Sequence, residues 1–227
     1  MAITLFSSFL PNVLSQVPGV PITVVDTQVR FAATEFCRYT GAWVEDLTPI
    51  ASVKDQADYS IVSNESSYGL VRTIRQVYYD KTWVAPQDIK TLRKEHPTHP
   101  DTASAGVPYK YAMVDRDTMT LFPIPSTATA GVLKVRATII PKTTSTGLDA
   151  GVAEDYEETI ISGALFRLMS MPNRAWTSVK TAEYHGRKFR SEMNMARARI
   201  EKGFTDSSLQ VDIPNIIPNS ISIRRTV

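Results

Sequence analysis

One cysteine, Cys37, stands among 227 residues, so no disulfide can close within the chain and four-cysteine metal sites are excluded. Such sparing use fits a reducing compartment. Long apolar runs are missing too: nothing approaches the roughly eighteen uninterrupted apolar residues of a membrane span. The first residues, Met1-Ala2-Ile3-Thr4-Leu5-Phe6, lack the positive charge that opens a secretory signal, so synthesis in the cytoplasm is expected. Net charge is only +2, well short of the basic excess of a dedicated DNA binder. The ten glycines are scattered, and neither GxGxxG nor a GxxxxGKS or GxxxxGKT run occurs, which removes the phosphate-cradling loops.

Few groups suited to catalysis remain. His96, His99 and Asp101 fall close together, but in a proline-punctuated stretch. A metal needs ligands converging from a pre-shaped backbone, so an ordinary surface loop is expected there. Cys37 lies on the apolar stripe of a helix and reads as a buried structural thiol. His185, beside Arg187 and Lys188, reads as a solvated histidine on a polar face. The acidic group Glu154, Asp155, Glu157 and Glu158 fits the positive end of a helix without any acid–base role. No catalytic, cofactor or metal site is expected, and the chain does not read as an enzyme.

What is present is patterning. Hydrophobic residues make up 43% and charged residues 21%, the ordinary balance of a globular chain. Between Arg174 and Gly203, the residues Val179, Ala182, Gly186, Phe189, Met193, Ala196 and Ile200 recur at alternating steps of three and four, one stripe of a helix. Thirty residues would make a rod of about 45 Å. An earlier helix is expected from about Ile22 to Thr40, with Pro21 suited to its first turn and Gly41 as its cap. Its stripe is Val25, Val29, Ala32, Ala33, Phe36 and Cys37. Near 153–171 a third helix shows a broad apolar face, and Pro172-Asn173 ends it. From Trp43 to Pro141, β-branched and aromatic residues rise. Gly69 to Tyr79 reads as a strand, Tyr109–Val114 and Thr118–Phe122 as a hairpin, and Leu133 to Ile139 as a half-buried strand. Pro86 to Glu95 suits a short helix, and His96 to Pro108 a long loop.

These segments predict an α+β fold: a helix bundle, with helices near 22–40, 153–171 and 174–203, an inserted antiparallel β region, and an extended C-terminal arm. The expected division is a discontinuous bundle domain of 1–42 and 150–203, a β-rich insertion of 43–149, and the arm of 204–227. The arm carries Phe204, Leu209, Val211, Ile213, Ile216, Ile217, Ile221 and Ile223, then Arg224 and Arg225, with Pro214 and Pro218 blocking helix. It is too apolar for a solvated tail. Fully extended, it reaches up to roughly 80 Å. It is read as a strand laid on another protein, or else as a last strand on its own sheet. The long helix also carries Lys180, Arg187, Lys188, Arg190, Arg197 and Arg199. This basic face suits DNA phosphates, solvent, or acidic residues of a neighbouring subunit. A DNA-binding module using that face is the alternative functional reading.

Three ordered segments resemble the head–tail adaptor (connector) proteins of tailed bacteriophages. Val29-Arg30-Phe31-Ala32-Ala33-Thr34-Glu35-Phe36-Cys37-Arg38-Tyr39-Thr40, followed by Trp43, is similar to the early adaptor helix. Gly106-Val107-Pro108-Tyr109-Lys110-Tyr111, then Asp115, then Thr120-Leu121-Phe122-Pro123-Ile124-Pro125, resembles the block in its β insertion. Glu157 to Leu165, with Pro172, Trp176, Ala182-Glu183-Tyr184 and Phe189, resembles the closing helix pair. The motifs cover most of residues 20–200, in order, and leave out the first twenty residues and the arm. The resemblance implies a structural virion protein at the head–tail junction, a homo-oligomeric ring usually of twelve copies. It implies a portal protein on one side, a tail tube, nozzle or tail-completion protein on the other, and genomic DNA passing through without sequence recognition. No cofactor and no membrane are implied. The sequence departs from a DNA-repelling channel in having no strongly acidic segment.

Overall fold

The computed structural model describes residues 2–99 and 105–203. The chain enters as a short strand, β1 (Ile3–Leu5), a 3-10 turn over Phe6–Phe9, and a short helix, α1 (Leu10–Leu14). Pro11 sits in the first turn of α1, where its missing N–H costs nothing. Helix α2 (Ile22–Thr40) follows and ends where Gly41 turns left-handed at φ 66°, its N–H bonding the Cys37 carbonyl at 2.9 Å. All six residues of the expected stripe are buried.

Two sheets come next. Strands β2 (Val44–Asp46), β3 (Ile50–Ser52), β5 (Gly69–Tyr79), β6 (Thr82–Trp83) and β10 (Thr129–Pro141) make one, ordered β2-β10-β5-β6 with β3 also paired to β10. Strands β4 (Asp58–Ser60), β7 (Ala85–Pro86), β8 (Lys110–Met113) and β9 (Thr118–Phe122) make the other, ordered β4-β9-β8-β7. Pairing is antiparallel except between β7 and β8. Helix α3 (Ile89–Glu95) is capped by Asp88, whose side chain accepts from the Lys90 and Thr91 amides. Strand β11 (Gly147–Asp149) pairs with β1 and leads into α4 (Ala150–Asp155), α5 (Glu157–Met169) and α6 (Val179–Glu201).

The expectation of a helix bundle carrying a β insert is overturned. Strand takes 27% of the described residues against 39% helix, too much sheet for a bundle with a small insertion. The 13-residue β10 pairs along the whole of β5, and α2 packs against β10. Arg75 of β5 donates to the Gly41 carbonyl at the end of α2 and to the Thr138 hydroxyl of β10. One apolar core runs unbroken from Phe6 and Val25 through Trp43, Val71 and Leu133 to Leu165 and Phe189. The fold is a mixed α+β structure in which sheet and helices share that core. The C-terminal arm of the prediction lies outside the described residues.

Two helix boundaries also shift. The expected 153–171 helix is divided: Asp149 caps α4 by accepting from the Val152 amide, and Tyr156 (φ −130°, ψ 24°) separates α4 from α5. The long helix starts at Val179 rather than Arg174. Asn173 is left-handed at φ 56°, and the Thr177 hydroxyl folds back onto the Met171 carbonyl, holding 174–178 in a turn. The rod is therefore about 35 Å long. Six of its seven stripe positions are buried, and Val179, at the free first turn, is 69% exposed. Helices α5 and α6 run antiparallel, Gly163 facing Phe189 and Phe166 facing Gly186.

Candidate functional site

A surface cleft of about 710 Å³ opens on the outer side of α2, where α5 and α6 approach it. Arg30, Phe31, Thr34, Glu35, Arg38 and Tyr39 of α2 supply most of its wall. They recur at helical spacings of three and four on the face opposite the buried stripe. Arg167 of α5 crosses to Glu35 at 2.5 Å, and the Tyr39 hydroxyl donates to Asn194 Oδ1 of α6 at 2.5 Å. Phe31 lies under two guanidinium groups, Arg30 at 6.0 Å and Arg167 at 5.9 Å from its ring centre. Arg197 of α6 lies 5.4 Å from the Tyr39 ring. Each such contact is worth roughly 0.5–1 kcal/mol where exposed. Both rings remain open to solvent, Phe31 at 44% and Tyr39 at 43%. The Nε atoms of Arg30 and Arg167 are buried and have no acceptor among the described residues. The cleft thus offers forked donors and exposed aromatic faces, the chemistry of anion and protein recognition. Among the described residues it contains no nucleophile beside a base.

The predicted basic face of α6 divides. Arg187 pairs with Glu183 at 3.3 Å, Lys188 with Glu158 at 3.1 Å and Glu192 at 3.7 Å, and Arg197 with Glu201 at 2.8 Å. The hydrogen bond that Lys188 donates to Glu158 holds it above its ordinary pKa, and the bond that Arg197 donates to Glu201 does the same for Arg197. Lys180, Arg190 and Arg199 are exposed. Pairing of Arg187, Lys188 and Arg197 reduces the charge this face can offer a phosphate backbone. The predicted arm residues, from Phe204 to Arg225, lie outside the described residues.

The histidine loop serves packing. His96 stacks on Phe122 with ring centres 3.7 Å apart, and His99 meets the same ring edge-on at 5.5 Å. His99 Nε2 is also within 3.1 Å of the Thr120 hydroxyl. Cys37 is fully buried, and burial pushes its thiol up to about 12, as an inert core cysteine requires.

His185 corrects the sequence reading. It is 9% exposed, on the buried side of α6 with Ala182, Gly186 and Phe189, and its Nδ1 is buried without a partner among the described residues. Burial lowers its pKa, and the nearby Lys188 lowers it further. The folded protein therefore prefers the neutral ring, while the unfolded chain takes up a proton near pH 6.5. The stability this contributes is complete above that pH and is lost as pH falls below it. The urea midpoint is expected to drop between pH 7.5 and 5.5. In His185→Gln most of that slope should vanish, leaving the part due to His99, which burial shifts the same way. An unchanged slope in the variant would contradict this account.

A family model described as SU10 adaptor protein, a phage head-to-tail adaptor family, matches residues 6–211. The chain belongs to this family. The match takes in almost all of the described fold and extends beyond both limits of the motifs quoted above, toward the N-terminus and into the arm. No curated protein sequence matches the adaptor. As a phage adaptor protein it belongs with structural virion components that act by contact with other head or tail proteins. No helix among the described residues is long and apolar enough to cross a membrane.

Proposed function

We propose that this adaptor assembles into a homo-oligomeric ring of twelve copies that joins the portal vertex of the capsid to the tail and continues the DNA channel. The family match over residues 6–211 carries this reading. An exposed face built from arginine and aromatic side chains, with no catalytic grouping in it, supports it. The protein is made in the host cytoplasm and ends at the head–tail junction of the virion. The portal protein lies on one side, and a tail tube, nozzle or tail-completion protein on the other. Passing DNA is not read for sequence.

Attachment is conditional on the partner. The arm of 204–227 makes the contact with the portal or with a neighbouring subunit, so joining waits until that surface is in place. The isolated protein is then largely monomeric at micromolar concentration. Electron micrographs of the protein mixed with its portal should show rings seated on the portal vertex. Bare portals at saturating adaptor would sink the proposal. Removing residues 204–227 should abolish portal binding while leaving the thermal midpoint within about 2 °C, since the described core closes without them. Normal portal binding by the shortened chain would remove the arm from the mechanism.

A further inference from the structure

The cleft on α2 has too many cations for its own needs. Among the described residues, Arg30, Arg38 and Arg167 line it against one carboxylate, Glu35, which Arg167 already engages. Arg197 stands beside it over Tyr39. Two guanidinium Nε atoms are buried there without an acceptor among the described residues, a state that native structures seldom leave unexplained. Phe31 and Tyr39 are large aromatic side chains left nearly half exposed at the same place. Arginine and tyrosine around a pocket are the composition of an interface hot spot.

The same chain carries a surplus of the opposite sign. Glu154 and Asp155, at the end of α4, are exposed and form no ion pair among the described residues. Beyond them Glu158 is engaged by Lys188, and Glu157 accepts from the neutral Asn12 side-chain amide at 2.9 Å. Within one copy, neither Glu154 nor Asp155 pairs with an arginine of the cleft.

We propose that the cleft receives the Glu154–Asp155 corner of a second copy of this chain, placing those carboxylates against Arg30 and Arg38 between the rings of Phe31 and Tyr39. This rests on the ring reading above and names its contact surfaces. A cleft and a corner are two different patches, so their contact is heterologous: it repeats head to tail and closes a ring when the rotation allows. Charge complementarity selects the neighbour and sets the register. A nucleic-acid strand is a poorer fit. It needs a row of cations tracking the backbone, whereas this cleft is one pocket, with the Glu35 carboxylate in its wall.

Charge reversal on the full-length protein tests the pairing. One variant is Arg30→Glu with Arg38→Glu; the other is Glu154→Arg with Asp155→Arg. Circular dichroism first establishes that both fold, and Arg38→Glu alone serves if the partly buried Arg30 does not tolerate reversal. Sedimentation equilibrium at rising protein concentration and low salt then reads self-association. Each variant alone should associate at least tenfold more weakly than wild type. An equimolar mixture should recover association, because every contact in an alternating array is then of opposite sign. Variants that associate like wild type, or a mixture that stays dissociated, would overturn the pairing while leaving the ring reading standing. A wild-type protein that forms no ring at any concentration, even with portal added, overturns the ring reading and this inference with it. Single-stranded DNA binding that Arg38→Glu abolishes, with self-association unchanged, would make the cleft a nucleic-acid site instead.

Discussion

Replacing Glu45 by alanine is expected to lower stability by about 4 kcal/mol, among the largest losses a surface-distant single change can produce here. Glu45 sits on β2 and is 1% exposed. Its carboxylate accepts from Trp43 Nε1 at 3.1 Å, the Ser63 hydroxyl at 2.9 Å and the Asn64 amide at 3.1 Å. Trp43 and Ser63 are themselves buried, so water cannot replace the acceptor at those two donors. Each orphaned buried donor costs about 1–3 kcal/mol. The bonds also tie the segment before β5 to the segment after α2. Asn64 continues the tie, taking bonds from the Thr48 amide and hydroxyl and donating to the Asp46 carbonyl. For a chain of this size the loss corresponds to a fall in the thermal midpoint of roughly 8–16 °C. Glu45→Gln keeps the side-chain volume and one acceptor, and should lose about half as much. Urea melts of the three proteins check the order. A Glu45→Ala loss under about 1 kcal/mol would show that the network relaxes around the gap.

This network was invisible in the sequence, and the reason is general to what the sequence did and did not show. Local periodicity was legible. The six apolar positions of α2 and six of the seven on α6 are buried as their spacing predicts. His185 carried the same signal, lying three residues after Ala182 and four before Phe189. Its polarity and its basic neighbours outweighed the spacing, and the spacing was the better guide. Pairings between distant segments were not legible. Residues 69–79 and 133–139 were each readable as strands, but nothing local says that they pair, in a ladder of nine registered positions that runs on to Pro141. Without that pairing the sheet looks like an insertion and the helices like a separate bundle. The β5–β6 hairpin was missed because its turn residues are Asp80 and Lys81, at φ 44° and 67°, instead of the Asn-Gly or Asp-Gly that usually marks such a turn. The cleft was half legible. Phe31, Arg38 and Tyr39 lie off the buried stripe of α2, but the arrival of Arg167 and Arg197 depends on how α5 and α6 pack.

That packing depends on a glycine. Gly163→Val is expected to destabilise the protein by about 3 kcal/mol and to weaken self-association as well. A Cβ at Gly163 would lie 2.8 Å from Cε2 of Phe189 and 3.0 Å from Cβ of Ala32. Helices α2, α5 and α6 therefore meet at one point with no room for a side chain. The Phe189 ring is buried and cannot swing aside, and Ala32 offers only the atom fixed to its backbone. Valine adds two methyl groups beyond that Cβ, so the helices must part or the ring must leave its rotamer. Gly163→Ala separates the two contributions. It gains up to about 1 kcal/mol of helix propensity, which offsets part of the clash, and should fall between wild type and valine. Arg167 lies one turn further along α5, on the helix that the valine would push away from α2. Its bond to Glu35 and its place over Phe31 require those two helices to stay close. Valine should therefore weaken association in the sedimentation assay even at temperatures where the variant remains folded. A valine variant as stable as wild type, within about 0.5 kcal/mol, would mean that the three helices can separate without cost. The cleft would then owe its shape to something other than this crossing.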